Sequence, residues 1–127
     1  MTNTKTTDLA LSLLDWNRKN LVHNNALTET LIAEKFAEQF IVKANGRTHP
    51  ANHAAYLEFL NGFRSTIASI DYRVHETITE ANATVLAMTA EVVRIDKTKD
   101  IFEAMLHLKF NDAGMITLWN EVYIKTS

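Results

Sequence analysis

Glu121 stands between Trp119 and Tyr123, two positions from each. On a strand this spacing puts the three side chains on one face. If that face is inward, the rings keep water from the carboxylate, and desolvation raises its pKa toward the value a general base needs near neutral pH. If it is outward, Glu121 is a solvated strand residue beside two interface aromatics. Alternation alone favours the outward case, because Ile116, Leu118, Val122 and Ile124 make the more apolar face.

Other candidates carry less. His49 and His53 have the spacing with which two imidazoles on a helix share a metal. Pro50 puts His49 outside the helix, however, and no third ligand is signalled, so a capping or surface role is expected and no metal or other cofactor is called for. His75 and His107 alternate against Val74, Leu106 and Leu108, which directs them to a solvated sheet face or a subunit contact; a histidine could still act as acid or base there. Asp15, Trp16 and Arg18 close the first helix, where a solvated end is expected unless the fold turns one of them inward. Asp71 reads as a turn or cap residue, and Tyr56, Phe59 and Phe63 as core. There is no Gly-rich phosphate loop, no G-x-S-x-G elbow and no His-Glu-x-x-His helix, so nucleophilic and phosphate chemistry lack support.

The elements that must position these residues change character along the chain. Helical spacing governs the first half and strand alternation the second, with the change near Ser69-Ile70. A first helix is predicted over Thr7 to Asn20 with Leu9, Leu13, Leu14 and Trp16 as its apolar stripe. A second opens at the cap Thr28 and carries Leu31, Ile32, Phe36 and Phe40 before a short extended piece to Ala44, ended by Asn45-Gly46. A third opens with Thr48 or His49 as cap and Pro50 at its first position. Strands follow at about 71–79, 84–95, 101–110 and 115–125. The last two form a hairpin around Asn111-Asp112-Ala113-Gly114, with Phe102, Ala104, Leu106, Leu108 and Phe110 on one face. Helices followed by strands predict an α+β fold with helices packed on one face of an antiparallel sheet.

Composition bounds the rest. The 127 residues fit one domain, 1–127, ordered except at its ends, with residues 1–6 expected to be disordered. A net charge of −2 without a block of like charge gives no footprint for nucleic acid or an anionic membrane. No cysteine is present, which removes thiolate chemistry and fits a reducing compartment. The polar start of the chain and the lack of a long apolar run lead to the expectation of a cytoplasmic protein with no membrane contact.

Three local patterns add a resemblance: Phe36-Ala37-Glu38-Gln39-Phe40-Ile41-Val42 running into Asn45-Gly46-Arg47; Ile70-Asp71-Tyr72-Arg73-Val74; and Leu108 to Ile116 across the turn. With the element order, the chain resembles the superfamily of SnoaL-like polyketide cyclases, ketosteroid isomerase and nuclear transport factor 2. The resemblance implies three N-terminal helices packed into a strongly curved, mainly antiparallel, cone-shaped sheet of the cystatin-like type. It also implies that the last strand turns Glu121 into a pocket, at the position of the cyclase base. The isomerase base would fall at about Ala44, and its oxyanion-hole carboxylate and the cyclase histidine both at Leu106; none is carried by this chain. His107 is one residue out of register and on the other face. The expected pocket lining is then Trp16, Tyr56, Leu106, Leu108, Phe110, Trp119 and Tyr123. The expected partners are a small apolar or carbonyl-containing molecule and a second copy in a homodimer, with catalysis by Glu121 and a non-catalytic binding module left as alternatives.

Overall fold

The chain forms three helices and six strands in the order α1 (Asn3–Asn20), α2 (Glu29–Ala33), β1 (Phe36–Ala44), β2 (Arg47–Asn52), α3 (His53–Arg64), β3 (Ile67–Glu80), β4 (Ala83–Arg94), β5 (Lys99–Phe110) and β6 (Ile116–Lys125). The structure is a computed structural model and describes residues 2–127. All six strands join one sheet in the order β2-β1-β6-β5-β4-β3. The β1–β6 pair is parallel and the other pairs are antiparallel. This is the mainly antiparallel α+β architecture that the sequence predicts.

Four local differences have physical causes. Helix α1 begins at Asn3, not Thr7, so residues 3–6 are helical. The Thr2 hydroxyl caps it by accepting from the Lys5 amide, and the buried Thr6 hydroxyl donates to the Ala81 carbonyl, tying this turn to the β3–β4 connection. Met1 lies outside the described residues. Helix α2 stops at Ala33 because Phe36 and Phe40 belong to β1. Positions four apart share a face in a strand as well as in a helix, so their spacing alone cannot separate the two.

The predicted start of the third helix is instead strand β2. Asn45 and Gly46 have φ of 49° and 89° and close a two-residue hairpin in which Ala44 pairs with Arg47. Two positive φ values suit Asn-Gly in such turns. Pro50 sits opposite Ile41 on the edge strand, where its missing N–H is tolerated. Helix α3 then starts at His53, with the Asn52 side chain accepting from the Ala55 amide.

The fourth difference decides which face Glu121 takes. Lys109 pairs with Leu118 but Phe110 pairs with Ile116, leaving Thr117 as an extra residue in β6. The bulge shifts the alternation by one. Ile116 therefore goes inside with Phe110, while Leu118, Val122 and Ile124 take the outer face and Trp119, Glu121 and Tyr123 the inner one. Beneath the helices, Phe36 packs among Trp16, Phe40 and Tyr56, with ring centroids 6.2, 4.8 and 5.0 Å away. This cluster anchors α1 and α3 to β1.

Candidate functional site

The inner sheet face and α3 enclose a cavity of about 280 Å³. One wall is helical. Tyr56, Phe59 and Phe63 recur on one side of α3 with near-parallel rings, 6.0 and 6.5 Å between centroids, running from buried Tyr56 to exposed Phe63. The other walls come from the strands: Trp119, Glu121 and Tyr123 on β6, Phe102 and Ala104 on β5, Ala90, Val92 and Arg94 on β4, and Tyr72 on β3.

Glu121 lies between Ala44 of β1 and Leu106 of β5 in the sheet register. Its side chain is half-buried and faces this mostly apolar cavity. Burial alone moves its pKa from the ordinary 4.5 up to about 7, with no cation or hydrogen-bond donor among the described residues opposing the shift. Tyr56 and Tyr72 feel the same environment: desolvation first, and then the Glu121 charge, push both phenols above their usual pKa. The Tyr72 hydroxyl accepts a hydrogen bond from Asn17 Nδ2 at 3.2 Å, and Asn17 is itself buried. That bond uses an oxygen lone pair and leaves the phenolic hydrogen available to a ligand.

No family model matches the chain, and a search of curated proteins finds no match. Solved structures do match along nearly its whole length. A candidate SnoaL-like polyketide cyclase from Shewanella denitrificans superposes with a TM-score of 0.77 at 10% identity, covering 94% of this chain and 90% of that one. An LEH-like epoxide hydrolase from M. tuberculosis gives 0.73 at 12% identity over 96% and 84% of the two chains. An NTF2-like protein from Anabaena variabilis gives 0.74 at 10% identity over 100% and 95%. The chain has the SnoaL-like, NTF2-like fold. At these identities the likeness concerns the fold and leaves chemistry to the site.

Within the NTF2-like cone, the residues singled out in the sequence separate into two groups. Tyr56, Trp119, Glu121 and Tyr123 line the cavity. Trp16, Leu106, Leu108 and Phe110 do not; they are buried in the core. Leu106 and Leu108 pair with Glu121 and Trp119 on the inner face, packed below the cavity rather than against its space.

The remaining polar candidates lie away from the cavity. His49 is exposed on β2, while His53 Nε2 contacts the Phe36 carbonyl oxygen at 2.9 Å. His75 contacts Thr89 across the outer face, and Arg18 pairs with Asp15 and Asp71. Tyr72 and Arg94 are cavity residues that the sequence reading missed. Tyr72 does follow Ile70 at strand spacing on β3, a signal that could have placed it inward; nothing local marks Arg94.

Proposed function

We propose that the chain binds a small, mostly apolar, carbonyl-containing molecule in this cavity and that Glu121 removes a proton from the carbon next to the carbonyl. The observation that supports it is a carboxylate with no counter-ion among the described residues, in a mostly apolar cavity, with its pKa raised to about 7. Such a group is ionised in part near neutral pH and basic enough to take a weakly acidic proton. The C–H electron pair becomes the carbon–carbon π bond of the enolate, the carbonyl π pair moves to oxygen, and the proton rests on Glu121 until it is returned. Tyr72, which lines the same cavity and is held by Asn17, serves in this reading as donor to the enolate oxygen. Tyr123 suits that task less, since it packs edge-on against Phe102 near the exposed end and is partly open to solvent.

The isomerase-like chemistries named by the resemblance are narrowed by the register. Ala44 and Leu106, which would carry the isomerase carboxylates and the cyclase histidine, flank Glu121 directly. Ketosteroid isomerisation is disfavoured, and the same two residues support the second reading, a binding module without turnover. Deuterium uptake at the α-carbon of 2-tetralone in D₂O separates the two. Uptake above the buffer rate that disappears in Glu121→Gln supports the base. Uptake at the buffer rate, with Glu121 titrating at an ordinary carboxylate value, leaves the binding module.

The outer sheet face supports a homodimer. Met105 and Val122 are cross-strand neighbours there, Ile124 lies two residues along β6, and all three are exposed. Light scattering at tens of micromolar should give twice the chain mass, and Val122→Asp should return the monomer; a wild-type monomer would count against the pairing. No helix among the described residues is long and apolar enough to cross a membrane. The cysteine-free sequence supports placing the protein in the cytoplasm.

A further inference from the structure

The far end of the cavity from Glu121 is built differently from the rest. Arg94 closes β4 there and lines the cavity. Its guanidinium is held on two sides: Nε donates to Asp100 Oδ2 at 3.1 Å and Nη1 donates to Thr66 Oγ1 at 3.1 Å. Asp100 is fixed in turn by Lys125 Nζ at 3.0 Å. Among the described residues nothing accepts from Nη2. A guanidinium carries five donors in a rigid plane, so an arginine pinned through Nε and Nη1 still presents charged N–H groups in a fixed direction.

The aromatic wall links this arginine to Glu121. Tyr56 marks the Glu121 end: its ring packs on Phe36 and Phe40 of β1, the strand whose Ala44 lies beside Glu121. Phe63 marks the other end, because Thr66, which holds Arg94, follows it by three residues. Tyr56 to Phe63 spans about 10 Å of helix at about 1.5 Å per residue. Phe59 and Phe63 are 59% and 42% exposed, large apolar rings left open on a cavity wall, and the edge-on pair Phe102–Tyr123 belongs to the facing sheet wall.

We infer that the cavity takes an amphipathic acid: its carboxylate sits on Arg94 and its flat apolar body lies along the Tyr56–Phe59–Phe63 wall. The carbonyl end, at the other end of that wall, then lies beside Glu121. This assignment rests on the cavity being a ligand site, as proposed above, and does not require that Glu121 be catalytic. It makes Arg94 a specificity residue that selects acids over neutral molecules of the same shape.

A matched pair of probes tests it: 3-(2-naphthyl)propanoate and its neutral amide, titrated into the full chain and followed by naphthalene fluorescence. One charge-assisted hydrogen bond should make the acid bind about tenfold tighter than the amide or better. Arg94→Gln should bring the acid down to the amide and leave the amide within about twofold of wild type. Phe59→Ala should weaken both probes equally and keep their ratio. Equal binding of acid and amide by the wild type overturns the Arg94 assignment and leaves the ligand site standing, as does an Arg94→Gln protein that still prefers the acid. The wild-type comparison needs no variant and so holds even if Arg94→Gln does not fold. Failure of both probes to bind up to about 1 mM overturns the ligand site and the assignment together.

Discussion

Glu121→Gln should make the protein more stable at pH 8 by about 2 to 3 kcal/mol and leave its stability at pH 4 nearly unchanged. In the folded chain this carboxyl titrates at about 7 instead of 4.5. Between those values the unfolded chain has released the proton and the folded chain has kept it. Stability therefore falls as pH rises through this window: the contribution is fully present below about pH 4.5 and lost above about pH 7. At about 1.4 kcal/mol per pH unit the gap sets a ceiling of about 3.5 kcal/mol, and the half-buried setting, with water able to reach the cavity, lowers it to the stated range. Glutamine keeps the shape and cannot ionise, so the window should vanish. Urea unfolding at pH 4, 6 and 8 measures this directly. A wild-type profile parallel to that of the variant would show that Glu121 titrates as an ordinary surface carboxyl.

The same substitution should remove any enolisation, because no proton acceptor remains beside the carbonyl. Gaining stability while losing turnover is the pattern expected of a side chain kept in an unfavourable environment for its chemistry. A merely solvated glutamate would produce neither change. The two measurements thus bear on one physical fact, the missing counter-ion, from opposite sides.

Much of this site is legible in the sequence as alternation but not as phase. The period-two run of β6 places Glu121 on a face with Trp119 and Tyr123, and that of β5 places Leu106 on a face with Leu108 and Phe110. Which face is inner depends on Thr117, one extra residue that moves Ile116 from one side to the other. Threonine carries no mark of a bulge, so the apolar count alone favours the opposite face, and only the resemblance turns Glu121 inward. Asn45-Gly46 is a hairpin signal, but Pro50 four residues on is equally a helix-start signal, and local sequence does not rank the two. Tyr72 and Arg94 come from strands distant in sequence from Glu121, and only the curvature of the sheet brings them to one cavity. Trp16 shows the opposite error: an aromatic at a helix end that looks available to a pocket is buried against Phe36.

Aromatic residues that read alike in the sequence should behave differently when truncated. Phe36→Ala should cost about 3 to 5 kcal/mol, because the ring is 1% exposed and packs against three others, so its removal leaves a cavity that α1, β1 and α3 cannot close without moving. Phe59→Ala should cost under about 1 kcal/mol, since more than half of that side chain is already in contact with solvent or the open cavity. Ligand affinity should reverse the order: probe binding per folded molecule should fall in Phe59→Ala, whereas Phe36→Ala should lower the folded fraction first. Thermal unfolding and probe titration on the two variants, run at one pH below 6 so that Glu121 is mostly protonated in both, separate the effects. Equal stability losses would mean that the α3 aromatics are one structural stripe, as their spacing alone suggests, and that the exposed rings of the wall are there to hold the helix rather than to meet a ligand.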